Sequence, residues 1–517
     1  MQLFIDSLTN AVAMAADPML LLFVMLGVAW GCVAGALPGF NSVIAIGVMV
    51  PFTFGMSPIH AIAFLMAINV GTAFGNSIPA ILVGVPGTPS AVLTALEGYI
   101  LHRQGKSGLA LGVTYYSSVT GQLIATLLFL AAVVPLAELT YVFLSPELFA
   151  LYLVGATALV SLTSSNIIKG LAAAAFGLTI AMAGRDPLSA VTRYTFGITE
   201  LRAGLETIPV VLGLLAVSEM FRSMRQIFRW DALSQSFTAK FPPLSALRRV
   251  TPSVLLGSLI GTFIGAVPGV AGGAAAVMSY QQSRIWSKHP EEYGKGSIEG
   301  IAANEAAQNA DQAGELIPTF GLGIPGSSAM VVLLGALLMH GFIPGPLLIR
   351  EAPELLHAAV AGLLGATVML ALIGWWIARS LLVVVTMDRS LILIGALTLA
   401  MIGVFSINRS VFDVFVMLFF GVIGYFMLRY GYPPAGASIA MILGAGLETN
   451  LRAGLLLKGG SVIDFVTRPW TAGILSIALF LLLFGAWSTV KLLRKERMAR
   501  AMALERDLAA RKAGDTP

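Results

Sequence analysis

The sequence predicts an all-α polytopic membrane protein built from two homologous halves. Three observations carry this expectation. Of the 517 residues, 57% are hydrophobic and only 11% are charged, with a mean hydropathy of +0.87. A soluble chain of this size needs far more charge to cover its surface. Apolar stretches long enough to cross a bilayer recur from end to end, enough for roughly 10–14 membrane segments. Lastly, one Pro-Gly motif occurs twice, in register, in the two parts of the chain.

The apolar runs lie near 18–37, 41–56, 58–75, 108–135, 140–160, 167–183 and 207–222, then near 251–270, 359–385, 390–407, 411–430, 434–447 and 470–490. They place a first membrane repeat at 1–222 and a basic linker at 223–250. A second repeat follows at 251–458, then a last transmembrane helix at 459–490 and a basic tail at 491–517. The runs 41–56 and 207–222 read as spans, interfacial helices or half-helices.

Charge placement sets the expected orientation. No Lys or Arg precedes Arg103, whereas Arg222, Arg225, Arg229, Lys240, Arg248 and Arg249 crowd the linker. Lys491, Arg494, Lys495, Arg497, Arg500, Arg506, Arg511 and Lys512 crowd the tail. The positive-inside rule puts linker and tail in the cytoplasm and the N-terminus in the periplasm. Basic residues flanking apolar spans are explained by orientation, so no nucleic-acid role is expected. The start MQLFIDSLTN has no basic region of the kind a cleaved signal carries.

The repeat emerges when two Gly- and Pro-interrupted stretches are written in register. IPAILVGVPGTPSAVLTALEGY starts at Ile78 and IPTFGLGIPGSSAMVVLLGALL at Ile317, 239 residues later and without a gap. Pro86-Gly87-Thr88 thereby matches Pro325-Gly326-Ser327. GALPG at Gly35–Gly39 matches GAVPG at Gly265–Gly269, and LRAGL at Leu201–Leu205 recurs at Leu451–Leu455. Three pairs in one order argue for duplication. An odd number of crossings per half would make the repeats inverted, as in many secondary transporters.

The Pro-Gly motifs are the candidate site. Proline removes a backbone donor and breaks a helix, and glycine lets the chain turn and a ligand approach. At membrane depth the freed groups need partners. A helix starting after the break aims N–H groups and a positive dipole end at it, which suits a carboxylate. The expected substrate contacts are Asn41, Ser42, Asn76, Ser77, Pro86, Gly87, Thr88, Pro325, Gly326, Ser327 and Ser328. Asn69, Gly71, Asn304, Asn309 and Asp311 are candidates for a coupling Na⁺ or H⁺, because amide and carboxylate oxygens suit either. Gln308, Gln312 and Glu315 lie in the same polar run. That run, 301–315, reads equally as a polar helix at the membrane surface. Arg202 and Arg452 of the LRAGL pair read as interface anchors.

No enzyme signature is present: no Walker A loop, no HExxH and no GxSxG elbow. His60, His102, His289, His340 and His357 are scattered, and the single Cys32 allows neither an internal disulfide nor a cysteine metal site. The expectation is a carrier without a cofactor beyond a coupling ion. A passive channel or a stand-alone carboxylate or cation transporter is the alternative.

Four long blocks carry a family resemblance. They are GALPGFNSVIAIGVMVPF, PAILVGVPGTPSAVLTALEGYILHRQGKSGLALG, the run from PEEYGKGSIEGIAANEAAQNADQAGELIPTFGLGIPGSS to PGPLL, and LETNLRAGLLLKGG. They resemble the large membrane subunit of tripartite tricarboxylate transporters, the TctA family, from about Leu20 to about Val490. The resemblance implies gradient-driven uptake of small carboxylates across the bacterial inner membrane. It also implies an elevator-like movement, a small membrane subunit and a periplasmic solute-binding protein. One departure stands out: members of the family tend to carry a Gly-Gly-Ser-type stretch where this chain has Phe74-Gly75-Asn76-Ser77.

Overall fold

The computed structural model describes residues 2–37, 40–139, 143–163, 166–186, 191–224, 241–270, 272–345, 348–381, 389–457 and 459–514. Pro38, Gly39 and most of the basic linker lie outside the described residues.

The first half runs α1 (Gln2–Ala15), α2 (Pro18–Gly35), α3 (Ser42–Met49), α4 (Pro58–Val83), α5 (Val92–Arg103), α6 (Ser107–Leu139), α7 (Ser145–Thr163) and α8 (Ile167–Ala181). A two-stranded antiparallel hairpin pairs Gly184 with Arg193. Then α9 (Thr207–Leu212) continues through a π-helical turn into α10 (Ser218–Met224). The second half runs α11 (Leu244–Gly265), α12 (Gly272–Trp286), α13 (Ile298–Gly314), α14 (Leu316–Leu322), α15 (Ser328–Met339), α16 (Leu348–Glu351) and α17 (Pro353–Ser380). It ends with α18 (Arg389–Asn408), α19 (Val411–Tyr430), α20 (Pro434–Leu457), α21 (Val462–Val466) and α22 (Pro469–Gly514).

Among the described residues, eight stretches are long and apolar enough to cross a membrane: α2, α4, most of α6, residues 207–224, α17, α19, α20 and the first part of α22. Four shorter apolar helices accompany them. The run 41–56 resolves into the eight-residue α3 and a 3-10 turn, Val50–Gly55. At 1.5 Å per residue α3 is too short to span. Helix α11 begins inside the expected linker, and α22 continues the last span through most of the expected tail.

The two halves repeat their packing as well as their motifs. Gly27, Gly31 and Gly35 of α2 sit on the carbonyls of Phe64, Ile68 and Thr72 in α4; an added Cβ would lie 2.7, 2.3 and 2.4 Å from those oxygens. Gly257, Gly261 and Gly265 of α11 sit likewise on Ala303, Ala307 and Asp311 of α13, each at 2.4 Å. Small residues four apart let two helix backbones touch, the packing available inside a bilayer. The partners then cross over. Gly121 of α6 abuts the Ala306 backbone of α13, and Gly362 of α17 abuts the Ala63 backbone of α4.

This packing encloses α13 completely and α4 over most of its length. Residues 61–82 of α4 and all seventeen residues of α13 are buried. The polar run 301–315 is therefore interior and does not lie on the membrane surface. The LRAGL pair has no such equivalence. Leu201 starts in a 3-10 turn with Arg202 exposed, whereas Leu451 starts on α20, where Arg452 pairs with Asp186 and Glu448. Five matching letters reflect chance or a diverged segment at that point.

Candidate functional site

Both Pro-Gly stretches interrupt a helix in the same way. α4 ends at Gly84 with φ 69°, ψ 17°, and α14 ends at Gly323 with φ 70°, ψ 18°. This left-handed conformation favours glycine and stops the helix. Each chain then passes its Pro-Gly pair and starts a new twelve-residue helix, α5 or α15. The break is close-fitting on both sides. A Cβ on Gly87 would meet Asn76 Oδ1 at 2.4 Å, and one on Gly326 would meet Glu315 Cα at 2.8 Å.

Between the breaks lies a cavity of about 260 Å³. Four helix starts face it. Asn41 Oδ1 accepts from Ile44 N–H (3.1 Å) and caps α3, whose first residue Ser42 lines the wall. Thr88, Pro89 and Ser90 open the turn into α5. Gly272 and Gly273 open α12. Ser327 Oγ accepts from Met330 N–H (3.5 Å) and caps α15, with Ser328 and Ala329 on the wall. The rest of the wall is polar and comes from α4 and α13: Asn69 and Asn76 from one, Gln308, Asp311 and Gln312 from the other, and Glu315 just after it.

The wall is made of equivalent positions. Asn69 and Gln308, Asn76 and Glu315, and Thr88 and Ser327 are each 239 residues apart, the spacing of the motifs. The cavity lies where the halves meet, and both contribute corresponding side chains. Asp311 breaks the correspondence, because its counterpart is Thr72, which bonds back to Ile68 O.

Electrostatically the cavity is mixed. Among the described residues its wall holds no Lys or Arg, and it holds two carboxylates, Asp311 and Glu315. Ser327 donates to Glu315 Oε2 at 2.6 Å. Five buried oxygens have no hydrogen-bond partner: Asn69 Oδ1, Asn76 Oδ1, Gln308 Oε1, Asp311 Oδ1 and Gln312 Oε1. Helix starts offer positive potential to an anion, and clustered oxygens offer ligands to a cation or acceptors to a proton donor.

Of the expected substrate contacts, Asn41, Ser42, Asn76, Thr88, Ser327 and Ser328 line the cavity, as do Asn69 and Asp311 from the ion set. Gly87 and Gly326 touch the wall residues Asn76 and Glu315 from behind. Pro86 and Pro325 shape the breaks without lining the cavity. Ser77 turns away and donates to Glu305. Gly71 packs against Val28 of α2. Asn304 donates to Ser90 O and Thr94 Oγ1, and Asn309 to Glu305 O. Gln308, Gln312 and Glu315 of the polar run and Gly272 and Gly273 after the GAVPG motif also line the wall, and so do Pro89 and Ser90, which the sequence did not single out. Carrying the 239-residue spacing from Asn69 and Asn76 to Gln308 and Glu315 finds two of them.

A family model, the tripartite tricarboxylate transporter TctA family, matches residues 21–439. The chain belongs to the TctA family. This bears out the resemblance of the sequence blocks and makes the chain a tricarboxylate-transporter large subunit. It is 32% identical over 480 residues to an uncharacterized 52.8 kDa protein in the TAR-I ttuC' 3' region of Agrobacterium vitis, covering 92% of this chain and 95% of that protein. It is also 32% identical over 236 residues to an uncharacterized protein in the TAR-II ttuC' 3' region of the same organism, covering 45% of this chain and 96% of that one. No solved structure matches.

Proposed function

We propose that this TctA-family subunit takes up a small di- or tricarboxylate together with a cation, both held in the cavity between the halves. One observation carries the reading. Four helix starts converge on a cavity that, among the described residues, holds two carboxylates and no basic side chain. The helix starts attract the substrate's carboxylates, while Asp311 and Glu315 repel them unless a cation or proton offsets their charge. Substrate and cation then bind better together than apart, which is what coupled uptake requires.

The finer assignments follow from this reading. Na⁺ would take oxygens from Asn69, Asn76, Gln308, Asp311 and Gln312; H⁺ would reside on Asp311 or Glu315. The two broken helices and α4 and α13 form the unit that moves in an elevator-like step, with inverted repeats giving each half the same role from opposite sides. A periplasmic solute-binding protein delivers the substrate, and a small membrane subunit completes the transporter. The basic linker and tail support an inner-membrane placement with the N-terminus periplasmic and the C-terminus cytoplasmic.

The test is uptake of labelled di- and tricarboxylates into membrane vesicles, with and without the binding protein. Accumulation above the outside concentration, driven by an inward sodium or proton gradient, is the expected result and excludes a passive channel. Uptake that needs ATP and ignores both gradients contradicts the proposal.

A further inference from the structure

Behind the cavity wall lies a further buried carboxylate that the cavity does not use. Glu305 of α13 is fully buried. Ser77 of α4 lies 2.8 Å from both of its oxygens, Thr94 of α5 donates to Oε1, and Ser118 of α6 lies 3.4 Å from Oε2. Asn304 Nδ2 donates to Thr94 Oγ1 at 2.7 Å, so the Thr94 proton is directed to Glu305.

Among the described residues, no cation faces this group. Among the elements packed on it, α4 carries only His60, which bonds Ser57 and Asp17. α5 carries Glu97, Tyr99, His102 and Arg103. Glu97 accepts from the Gly294, Gly296 and Ser297 amides and from Tyr280 of α12; His102 bonds Ser107, and Arg103 is exposed. α6 carries Tyr115 and Tyr116, which bond Ala371 O and Thr251, and Glu138 at its far end. α11 carries Arg248 and Arg249, and Arg249 pairs with Glu292 and with Glu299 of α13 itself. α12 also carries Arg284, on its last turn. The remaining acids of this stretch, Asp311 and Glu315, face the cavity.

The fold does not demand this carboxylate. The positions 239 residues from Glu305, Ser77 and Thr94 are Met66, Leu316 and Leu333, all fully buried. The equivalent positions, divided between the halves in the opposite sense, thus carry buried apolar side chains in place of a carboxylate and its hydroxyls. An ionised carboxylate buried among neutral partners is costly, and neutralisation by a proton relieves that cost. The oxygens approach one another at hydrogen-bond distance, which leaves no room for a metal ion between them.

We propose that Glu305 is a proton-binding site, separate from the cavity and linked to it through Thr94, Asn304 and Ser90. The ionised carboxylate accepts from Ser77 and Thr94. When it binds a proton from water it becomes a donor, and one of those hydroxyls must turn its own proton elsewhere. Ser77 and Thr94 stand on the two arms of the Pro86-Gly87 break, and Asn304 ties Thr94 to the carbonyl of Ser90 on the cavity wall. Proton occupancy therefore changes the bonds that join the arms. Only this last consequence rests on the transport reading.

The experiment compares the full chain with Glu305→Gln, both reconstituted in liposomes. Infrared difference spectra follow the protonated-carboxyl stretch between about pH 5 and about pH 9. A reversible band present in the native chain and missing from Glu305→Gln is expected. Identical bands in both proteins overturn the proposal, as does a band that responds to NaCl and not to pH. In liposomes that also hold the small membrane subunit and are supplied with the solute-binding protein, labelled-citrate exchange should stay within about twofold in Glu305→Gln while proton-driven accumulation falls about tenfold or more. Retention of both, or loss of both in folded protein, contradicts the coupling role. If the native chain, supplied with the small membrane subunit and the solute-binding protein, exchanges no di- or tricarboxylate, the transport reading fails while the infrared result stands by itself.

Discussion

The two broken-helix motifs share their backbone and differ in their side chains. In the second half the break is tied shut. Gly326 N–H donates to Thr319 Oγ1 at 3.2 Å, Gly326 O accepts from Gly269 N–H at 3.0 Å, and Ser327 both caps α15 and binds Glu315. In the first half the Thr88 hydroxyl bonds Ser90, at 2.9 Å, and makes no cap, and Asn76 Oδ1 is unpartnered among the described residues, against Gly87. The second half also holds both acids, Asp311 and Glu315, where the first offers Thr72 and Asn76. Duplication supplied one geometry twice. Divergence then gave one copy charge and a fixed shape, and the other neutral oxygens free to meet a ligand.

This contrast predicts unequal effects at equivalent positions. The largest is at the glycines. Gly326→Ala drives a methyl into the Glu315 backbone, which cannot turn aside, and should lower the initial uptake rate by about a hundredfold. Gly87→Ala meets the tip of Asn76, which can rotate, and should cost about tenfold. Leu at either position should abolish uptake in well-expressed protein. Equal effects of the two alanines would erase the asymmetry.

Next come the wall residues. Asp311→Asn should remove most gradient-driven uptake and shift its dependence on sodium or pH. Asn69→Ala should raise the half-saturating cation concentration by a smaller factor, because it removes one neutral oxygen. Both are read from uptake against sodium concentration at fixed pH, then against pH at fixed sodium.

The smallest effect concerns the caps. Ser327→Ala loses a helix cap and should destabilise the purified protein by about 1 kcal/mol, seen as a lower melting temperature in detergent. Thr88→Ala loses no cap and should leave the melting temperature unchanged.

How much of this was legible depended on which residues carried the information. The breaks were readable because Pro and Gly act through the backbone, so Pro86-Gly87 and Pro325-Gly326 announce them without a neighbour. The facing of side chains was not. Consecutive helix positions differ by about 100°, so Asn76 points into the cavity while Ser77 points at Glu305. Gly71, chosen for its place beside Asn69, instead packs on α2. The glycine ladders Gly27-Gly31-Gly35 and Gly257-Gly261-Gly265 stood in the sequence at spacing four. They show which helices touch, because a glycine every fourth residue lets two helix backbones meet. LRAGL misleads, since identical letters occupy a 3-10 turn in one place and a helix in the other.

Cys32, the only cysteine, is fully buried, so a cysteine placed on the cavity wall is a clean reporter. The central claim is that both halves build one site. Ser90→Cys and Ser328→Cys, one from each half, should both react with a small thiol reagent in membranes. A transported carboxylate should protect both, at the same half-protecting concentration. Protection of only one, or protection at clearly different concentrations, would contradict a single shared site.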